Sequence, residues 1–272
     1  MNQAFRSAKL ATNDKALIKK VLDEVGDMIK TIPMESTPPE TGVRIYEKIG
    51  EITGNNDTYK EIKKANIAEA LSLVPMLEEI VRKSEDSLLT ALRIAIAGNV
   101  IDLGVNKAFN IKEDIHKILN QDFGIFHYKD LKEALKNADK VLYVGDNAGE
   151  SVFDKILIDQ LDCTVDFAVR DKPIINDCVV EDALDSGLDG SATIFSSGCP
   201  APAAILRMCN EKFLHKFKEA DLVISKGQGN YEGLSDVERP VFFMLKAKCK
   251  VIARNLGVQE DDIVLKGINI NQ

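Results

Sequence analysis

The sequence predicts an α/β protein, with a helical N-terminal domain packed on a C-terminal α/β/α domain whose sheet is mostly parallel and Rossmann-like. Three observations carry this. Up to about residue 110, apolar residues recur at three-to-four spacing with no two-residue alternation. From Val141 onward, short β-favouring apolar runs alternate with helical segments, the grammar of βαβ units. No Gly-, Pro- or Ser-rich linker separates the two parts, so residues 1–110 and 111–272, the latter expected to carry a metal-binding catalytic site, should pack closely.

In order, Asn13 is expected to cap a helix with Leu17, Val21, Val25 and Met28 on its apolar face. Thr37-Pro38-Pro39-Glu40 joins an N-cap, a first-turn Pro and an N3 Glu, and the helix it opens runs through Tyr46, Ile49 and Ile52 to Gly54. Asn55-Asn56-Asp57 starts a long helix that Pro75 should kink or split. Ser84-Glu85-Asp86 opens the next, over 88–100, and two short helices follow over 115–119 and 131–138. Strands are then expected over 141–144, 164–169, 192–195, 222–225 and 250–253, with helices over 151–161 and 201–220.

The totals exclude several classes. The 272 residues are 45% hydrophobic, enough for one or two domains with a sizeable core. A net charge of -8 with no long basic run argues against nucleic acid or an anionic membrane as partner. Polar residues such as Asn99 and Asp102 interrupt the longest apolar stretches, so no transmembrane span is expected. The opening residues show no signal-peptide pattern, which makes the cytoplasm the default location. Five cysteines without a C-x-x-C pair and three scattered histidines predict neither a disulfide framework nor a zinc cluster. The composition leaves the oligomeric state open.

The chain is organised around V-L-Y-V-G-D-N-A-G-E, residues 141–150. In an open α/β sheet ligands collect beyond the carboxyl ends of the strands, and Asp146-Asn147 falls there. A pair of hard oxygens suits a divalent cation such as Mg²⁺ or Mn²⁺; the competing reading is a cap on the next helix. At the next strand end Arg170 and Lys172 are candidates for an anion, and Asp177 for a further metal ligand or a cap of a helix near Val180. Ser196-Ser197-Gly198 is small enough for a ligand to approach the backbone. K-G-Q-G-N-Y-E, residues 226–232, resembles a phosphate cradle, or else a tight turn, and is not a Walker A loop. Asn99 and Asp102 share one helix face inside apolar sequence, either reaching the ligand site or fastening the helix to a neighbour. Together these groups favour metal-assisted phosphoryl chemistry, with Lys226 and Arg170 offsetting phosphate charge. An S-adenosylmethionine-dependent carboxyl methyltransferase and a non-catalytic metabolite-binding protein are the alternatives.

The motifs A-G-N-V-I-D-L-G, V-G-D-N-A-G-E, R-D-K-P-I-I-N-D and K-G-Q-G-N-Y-E, in this order, resemble the damage-control phosphatase family, once catalogued as a domain of unknown function. The resemblance also takes in A-T-N-D near the start and E-I-T-G-N-N-D-T-Y-K-E-I-K, and so covers nearly the whole chain. It implies one divalent ion (Mn²⁺, Co²⁺, Ni²⁺ or Mg²⁺) held by Asp146, Asn147 and Asp177, with Lys226 meeting the substrate phosphate. Catalysis is then assigned to Asp146, Asn147 and Lys226. Substrate binding is assigned to Glu150, Arg170, Lys172, Ser196, Gly198, Asn230, Asn99 and Asp102. Attack by Asp146 itself and by a metal-activated water both fit these residues. Members of the family hydrolyse sugar phosphates and other reactive or damaged phosphometabolites, which makes a small phosphorylated metabolite the expected partner. Relatives of this type often carry Cys-x-x-Cys just upstream of a Gln-Ala pair; here Met1-Asn2 precedes Gln3-Ala4.

Overall fold

The computed structural model describes residues 1–100 and 111–270. Three helices come first: α1 (Asn2–Ala11), α2 (Lys15–Ile29) and α3 (Pro38–Thr53). Asp14, not Asn13, caps α2, its side chain accepting from the Ala16 amide at 2.8 Å. The Thr37/Glu40 capping box opens α3 as its spacing predicts. These helices share a small core of Ala4, Ala8, Val21, Val25 and Ile49.

Two further helices, α4 (Lys60–Lys83) and α5 (Ser87–Val100), join the core on one side of the sheet instead, α5 against α8 and the later strands and α4 against α5 and α8. Pro75 does not split α4, which runs through it. After α6 (Ile111–Asn120), an unforeseen strand β1 (Phe123–Phe126) precedes α7 (Tyr128–Lys136). The alternation then proceeds through β2 (Lys140–Val144), α8 (Glu150–Ile158), β3 (Thr164–Val169), α9 (Val180–Asp185), β4 (Thr193–Ser196), α10 (Glu211–Glu219), β5 (Leu222–Lys226), α11 (Gly227–Leu234), β6 (Val241–Lys246), α12 (Lys250–Leu256) and β7 (Ile263–Ile268).

Three expectations are corrected here. The helix foreseen over 201–220 is α10 alone, preceded by an irregular stretch. Pro202 interrupts the run, the Asn210 side chain caps α10 through the Phe213 amide at 2.8 Å, and Ala201, Ala203 and Ala204 are buried. The strand foreseen over 250–253 belongs to α12, because a four-residue apolar run fits either period. The strands of this region are β6, a continuous V-F-F-M-L run, and β7. Residues 226–232 are no open glycine loop: Gly227 begins α11, and Gly229 and Gly233, one turn apart, let the Pro202 and Ala204 carbonyls lie against the helix.

The seven strands are ordered β1-β7-β6-β5-β2-β3-β4. The run β6-β5-β2-β3-β4 is parallel; β7 is antiparallel to β6 and parallel to β1. Alternate residues feed two cores. Val141, Tyr143, Phe167 and Ile224 face α4, α5 and α8, while Leu142, Val144, Val223 and Phe243 face α10, α11 and α12. The result is an α/β/α sandwich with the remaining helices packed at one side, the predicted class. From β2 the chain winds outward through β3 and β4, then returns on the other side of β2 through β5 and β6. The switch point therefore lies between β2 and β5, the place where open α/β sheets bind ligands. Among the described residues no helix is long and apolar enough to cross a membrane.

Candidate active site

At the switch point β2 runs into Gly145-Asp146-Asn147 and β5 ends on Lys226-Gly227. Gly227 has φ +79°, and a Cβ there would stand 2.0 Å from Asp146 Oδ2, so only glycine fits. The loop after β3 folds back onto the same turn. Asn147 and Asp177 form an isolated bridge, the Cys178 amide donates to the Asp146 carbonyl at 2.8 Å, and the Ala148 amide donates to the Asn176 carbonyl at 2.9 Å. Ile175, at φ +48°, is a β-branched residue in the left-handed region just before Asn176-Asp177.

Side chains far apart in sequence meet here. Asn99 Nδ2 donates to Asp146 Oδ2 (2.8 Å) and to Glu150 Oε2 (2.7 Å). Asn147 Nδ2 donates to the same two oxygens at 3.1 and 3.0 Å. Arg170 Nε donates to Asp177 Oδ2 at 2.7 Å, and its Nη2 lies 3.4 Å from Asp146 Oδ1. Lys226 Nζ spends its protons on Glu150 (2.6 Å), Asp154 (2.5 Å) and the Ala95 carbonyl (2.9 Å). Tyr143 Oη donates to Asp154 Oδ1 at 2.7 Å.

All of these ionisable groups are buried, and their charges do not balance. Asp146, Glu150, Asp154 and Asp177 are four carboxylates against Arg170 and Lys226, two cations, which leaves two negative charges in excess. Burial pushes Asp146 up to about 7, with Glu150 and Asp177 adding to the push. Burial likewise pushes Asp154 to about 7 and raises Asp177. Glu150 is also penalised by burial, yet Lys226 more than offsets this and holds its carboxyl below the usual range. Several buried atoms here lack partners among the described residues: Asn99 Oδ1, Asp154 Oδ2 and Arg170 Nη1. A buried site with two surplus negative charges and an unpaired amide oxygen fits a divalent cation. Among the described residues no three His, Cys, Asp or Glu side chains converge on one point; the candidate ligand set is two carboxylates, Asp146 and Asp177, with the Asn147 amide between them.

Residues 1–264 match the damage-control phosphatase ARMT1-like domain. The chain belongs to this family. It is 35% identical to an uncharacterized protein of Methanocaldococcus jannaschii over 97% of this chain and 91% of that protein. It is 32% identical to a damage-control phosphatase of Pyrococcus horikoshii, covering 97% and 93%, and 32% identical to one of Archaeoglobus fulgidus, covering 98% and 95%. The crystal structure of a DUF89 family protein from Pyrococcus horikoshii superposes with a TM-score of 0.86 at 32% identity, covering 97% of this chain and 94% of that one.

In this family member the residues singled out from the sequence fall into three groups. Asn99, Asp146, Asn147, Glu150, Arg170, Asp177 and Lys226 form the buried cluster. Neither Asp146 nor Asn147 caps α8, whose N-cap Gly149 makes no side-chain bond, and Asp177 is engaged by Arg170 rather than capping α9. Lys226 was expected to meet a phosphate, but it is fully buried with its protons occupied, and Arg170 is 1% exposed with two of its nitrogens on carboxylates. Lys172 stands apart, exposed on a cleft of about 620 Å³ that α3 and residues 55–59 form with residues 172–175.

The third group does not join the cluster. Ser196 Oγ donates to Asp171 at 2.9 Å and accepts from the Gly198 amide, and the space beside Gly198 is filled by Asn210 rather than left for a ligand. Asn230 is fully buried and clasps backbone, donating to the Gly145 and Lys226 carbonyls and accepting from the Ala204 amide. Asp102 lies outside the described residues.

Sequence reasoning missed Asp154, Tyr143 and Lys248. Asp154 had a signal: it lies four residues after Glu150 on one helix face, inside apolar sequence. Lys248, exposed after β6, acts electrostatically on Asp146, Glu150 and Asp177 together; nothing in its local sequence marks it.

Proposed function

We propose that the chain is a metal-dependent phosphatase acting on small phosphomonoesters, sugar phosphates or damaged phosphorylated metabolites, at the carboxyl edge of the sheet. The observation that carries this is the buried charge imbalance, four carboxylates to two cations, at the switch point between β2 and β5. The two archaeal relatives named damage-control phosphatases support it. Asp146, Asn147 and Asp177 would hold one divalent ion, Mn²⁺, Co²⁺, Ni²⁺ or Mg²⁺. When bound, such an ion supplies Lewis-acid polarisation of a phosphoryl oxygen.

The chain's own residues prepare the site. Arg170 fixes the two aspartates relative to each other. Asn99 holds Asp146 and Glu150 from α5, and Lys226 ties Glu150 and Asp154 to the Ala95 carbonyl. These contacts keep the oxygens oriented before any ligand arrives, so little reorganisation is left for the reaction. The cleft beside residues 172–175 is the room for the rest of the substrate. Its wall is one turn from Asp177, whose amide donates to the Ile174 carbonyl at 3.1 Å.

The test is phosphate release by chelator-stripped protein, reloaded with each of the four ions, across a broad panel of phosphomonoesters. Release is expected with at least one ion and is abolished by EDTA and by Asp177→Asn. No release from any ester with any of the four ions overturns the reading.

A further inference from the structure

We propose that Cys199 and Cys209 form a reactive dithiol, which a hydroperoxide converts to a reversible intramolecular disulfide. The proposal is independent of the phosphatase reading. The two residues sit near the ends of the irregular stretch between β4 and α10, and the fold draws those ends together. The Asn210 amide donates to the Ser197 carbonyl at 2.9 Å, and Asn210 Nδ2 donates to the Ser196 carbonyl at 3.0 Å. A Cβ on Gly198 would stand 2.6 Å from Asn210 Cβ, so the chain touches itself there. Cys199 and Cys209 are the next residues inward from that contact. Both belong to one small apolar cluster with Val43, Ala201, Ala203 and Ile205, and each thiol is the other's hydrogen-bonding partner. Cys199 Sγ lies 3.2 Å from the Ala203 carbonyl oxygen and Cys209 Sγ 3.3 Å from that of Ile205, so both sulfurs turn into the same loop. Among the described residues no third His, Cys, Asp or Glu completes a metal set with them.

The surroundings favour one thiolate. The Cys209 thiol first, then the Ile205 and Ala201 amides and the Arg170 guanidinium, hold Cys199 at about 6 against the cost of burial, and the same hydrogen bond raises Cys209. The pair thus gives up one proton early and shares the other, which either sulfur can carry. Cys199 is sealed and Cys209 is half-buried, so an oxidant reaches the pair at Cys209. The thiolate attacks one peroxide oxygen and the O–O bond breaks. The other oxygen takes up a proton and leaves as an alcohol or water. The second sulfur then attacks the sulfenic sulfur, the S–S bond forms, and hydroxide leaves with the remaining proton as water. Two thiols and one hydroperoxide give one disulfide, one alcohol (or water) and one water. The new bond ties the loop to itself behind Pro200, which lines the 620 Å³ cleft, and beside the Cys199 carbonyl that accepts from the Asp171 amide at 3.1 Å. Cys163 and Cys178 serve as internal controls, because burial raises both thiols.

The experiment treats the reduced full chain, freed of reductant, with hydrogen peroxide, blocks the remaining thiols and maps linked peptides by mass spectrometry. Free thiols should fall from five to three, with the Cys199–Cys209 peptide pair as the main linked product, and dithiothreitol should restore all five. Cys163→Ser should leave the linkage unchanged. Cys199→Ser and Cys209→Ser should each abolish it, and in Cys209→Ser the remaining Cys199 thiol should react at least tenfold more slowly than the wild-type pair. The same treatment in urea should show no preference for this pair, since the preference comes from the fold. Circular dichroism checks that each variant is folded. Peroxide that leaves all five thiols of the folded wild type free, that oxidises Cys199 or Cys209 to a sulfonic acid without linking them, or that links them no more readily in the folded chain than in urea overturns the proposal.

Discussion

Asp146→Asn should make the metal-free protein more stable, although Asp146 is the centre of the candidate site. Its carboxyl is raised from an ordinary 3.8 to about 7, by burial first and by Glu150 and Asp177 second. The folded chain therefore holds a proton on this group between about pH 4 and pH 7 that the unfolded chain has released, and stability falls as pH rises through that window. Above pH 7 the full cost of the buried charge is present. At about 1.4 kcal/mol per pH unit it is on the order of 4 kcal/mol. The amide removes that charge at a cost of its own. Asp146 Oδ2 accepts from Asn99 and Asn147, and Oδ1 faces Arg170 at 3.4 Å, so the new NH₂ must meet a donor on either side. That mismatch costs about 1–2 kcal/mol, while Arg170 keeps Asp177 at 2.7 Å. The charge wins, and the variant should gain roughly 2–3 kcal/mol at pH 8. Urea melts in EDTA at pH 5 and pH 8, followed by circular dichroism, measure it. The gain should shrink at pH 5, and Mn²⁺ should stabilise the wild type but not the variant. A variant no more stable than wild type at pH 8, or the same pH slope in both, would refute the reasoning.

Gly227→Ala should act in the opposite direction at the same place. The new methyl meets Asp146 Oδ2 at 2.0 Å and the backbone holds φ +79°, so a loss of at least about 2–3 kcal/mol is expected in the EDTA melt, together with loss of Mn²⁺ binding. Lys63→Met strands two acids, Asp182 at 2.8 Å and Asp57 at 3.2 Å, and Asp57 Oδ1 already lacks a partner among the described residues. With Asp57 partly open to solvent, the expected loss is about 2–4 kcal/mol by urea melt, and an unchanged midpoint would show that the ion pair contributes nothing.

How much of this was readable in the sequence depended on whether neighbours along the chain carried the signal. The Thr37/Glu40 box, the strands β2 and β3 and the polar turn at 146–147 are local patterns, and the fold realises them. The strands β6 and β7 were not foreseen: V-F-F-M-L is buried on both faces and shows no alternation, and the one strand expected here, over 250–253, is a short run that fits a helix equally well. Asp146, Arg170 and Lys226, which strand ends position, lie together in the fold as their places in the sequence suggested. Their orientation was not readable: Lys226 turns inward because Glu150 and Asp154 lie one helical turn apart beneath it, a three-body arrangement that no spacing in its own segment announces. Asn230 looked like a ligand contact and is a backbone clasp, because α11 is a helix whose glycines admit the 202–204 segment.

The Lys63 ion pair ties the first turn of α4 and Asp57, which stands on the wall of the 620 Å³ cleft, to Asp182 of α9. An ammonium sealed between an acid of that wall and an acid of the α/β part works as a rivet. The wall that Asp57 belongs to is therefore fastened when the chain folds. On the function proposed above, an incoming metabolite would meet a wall already in place and would have to fit it.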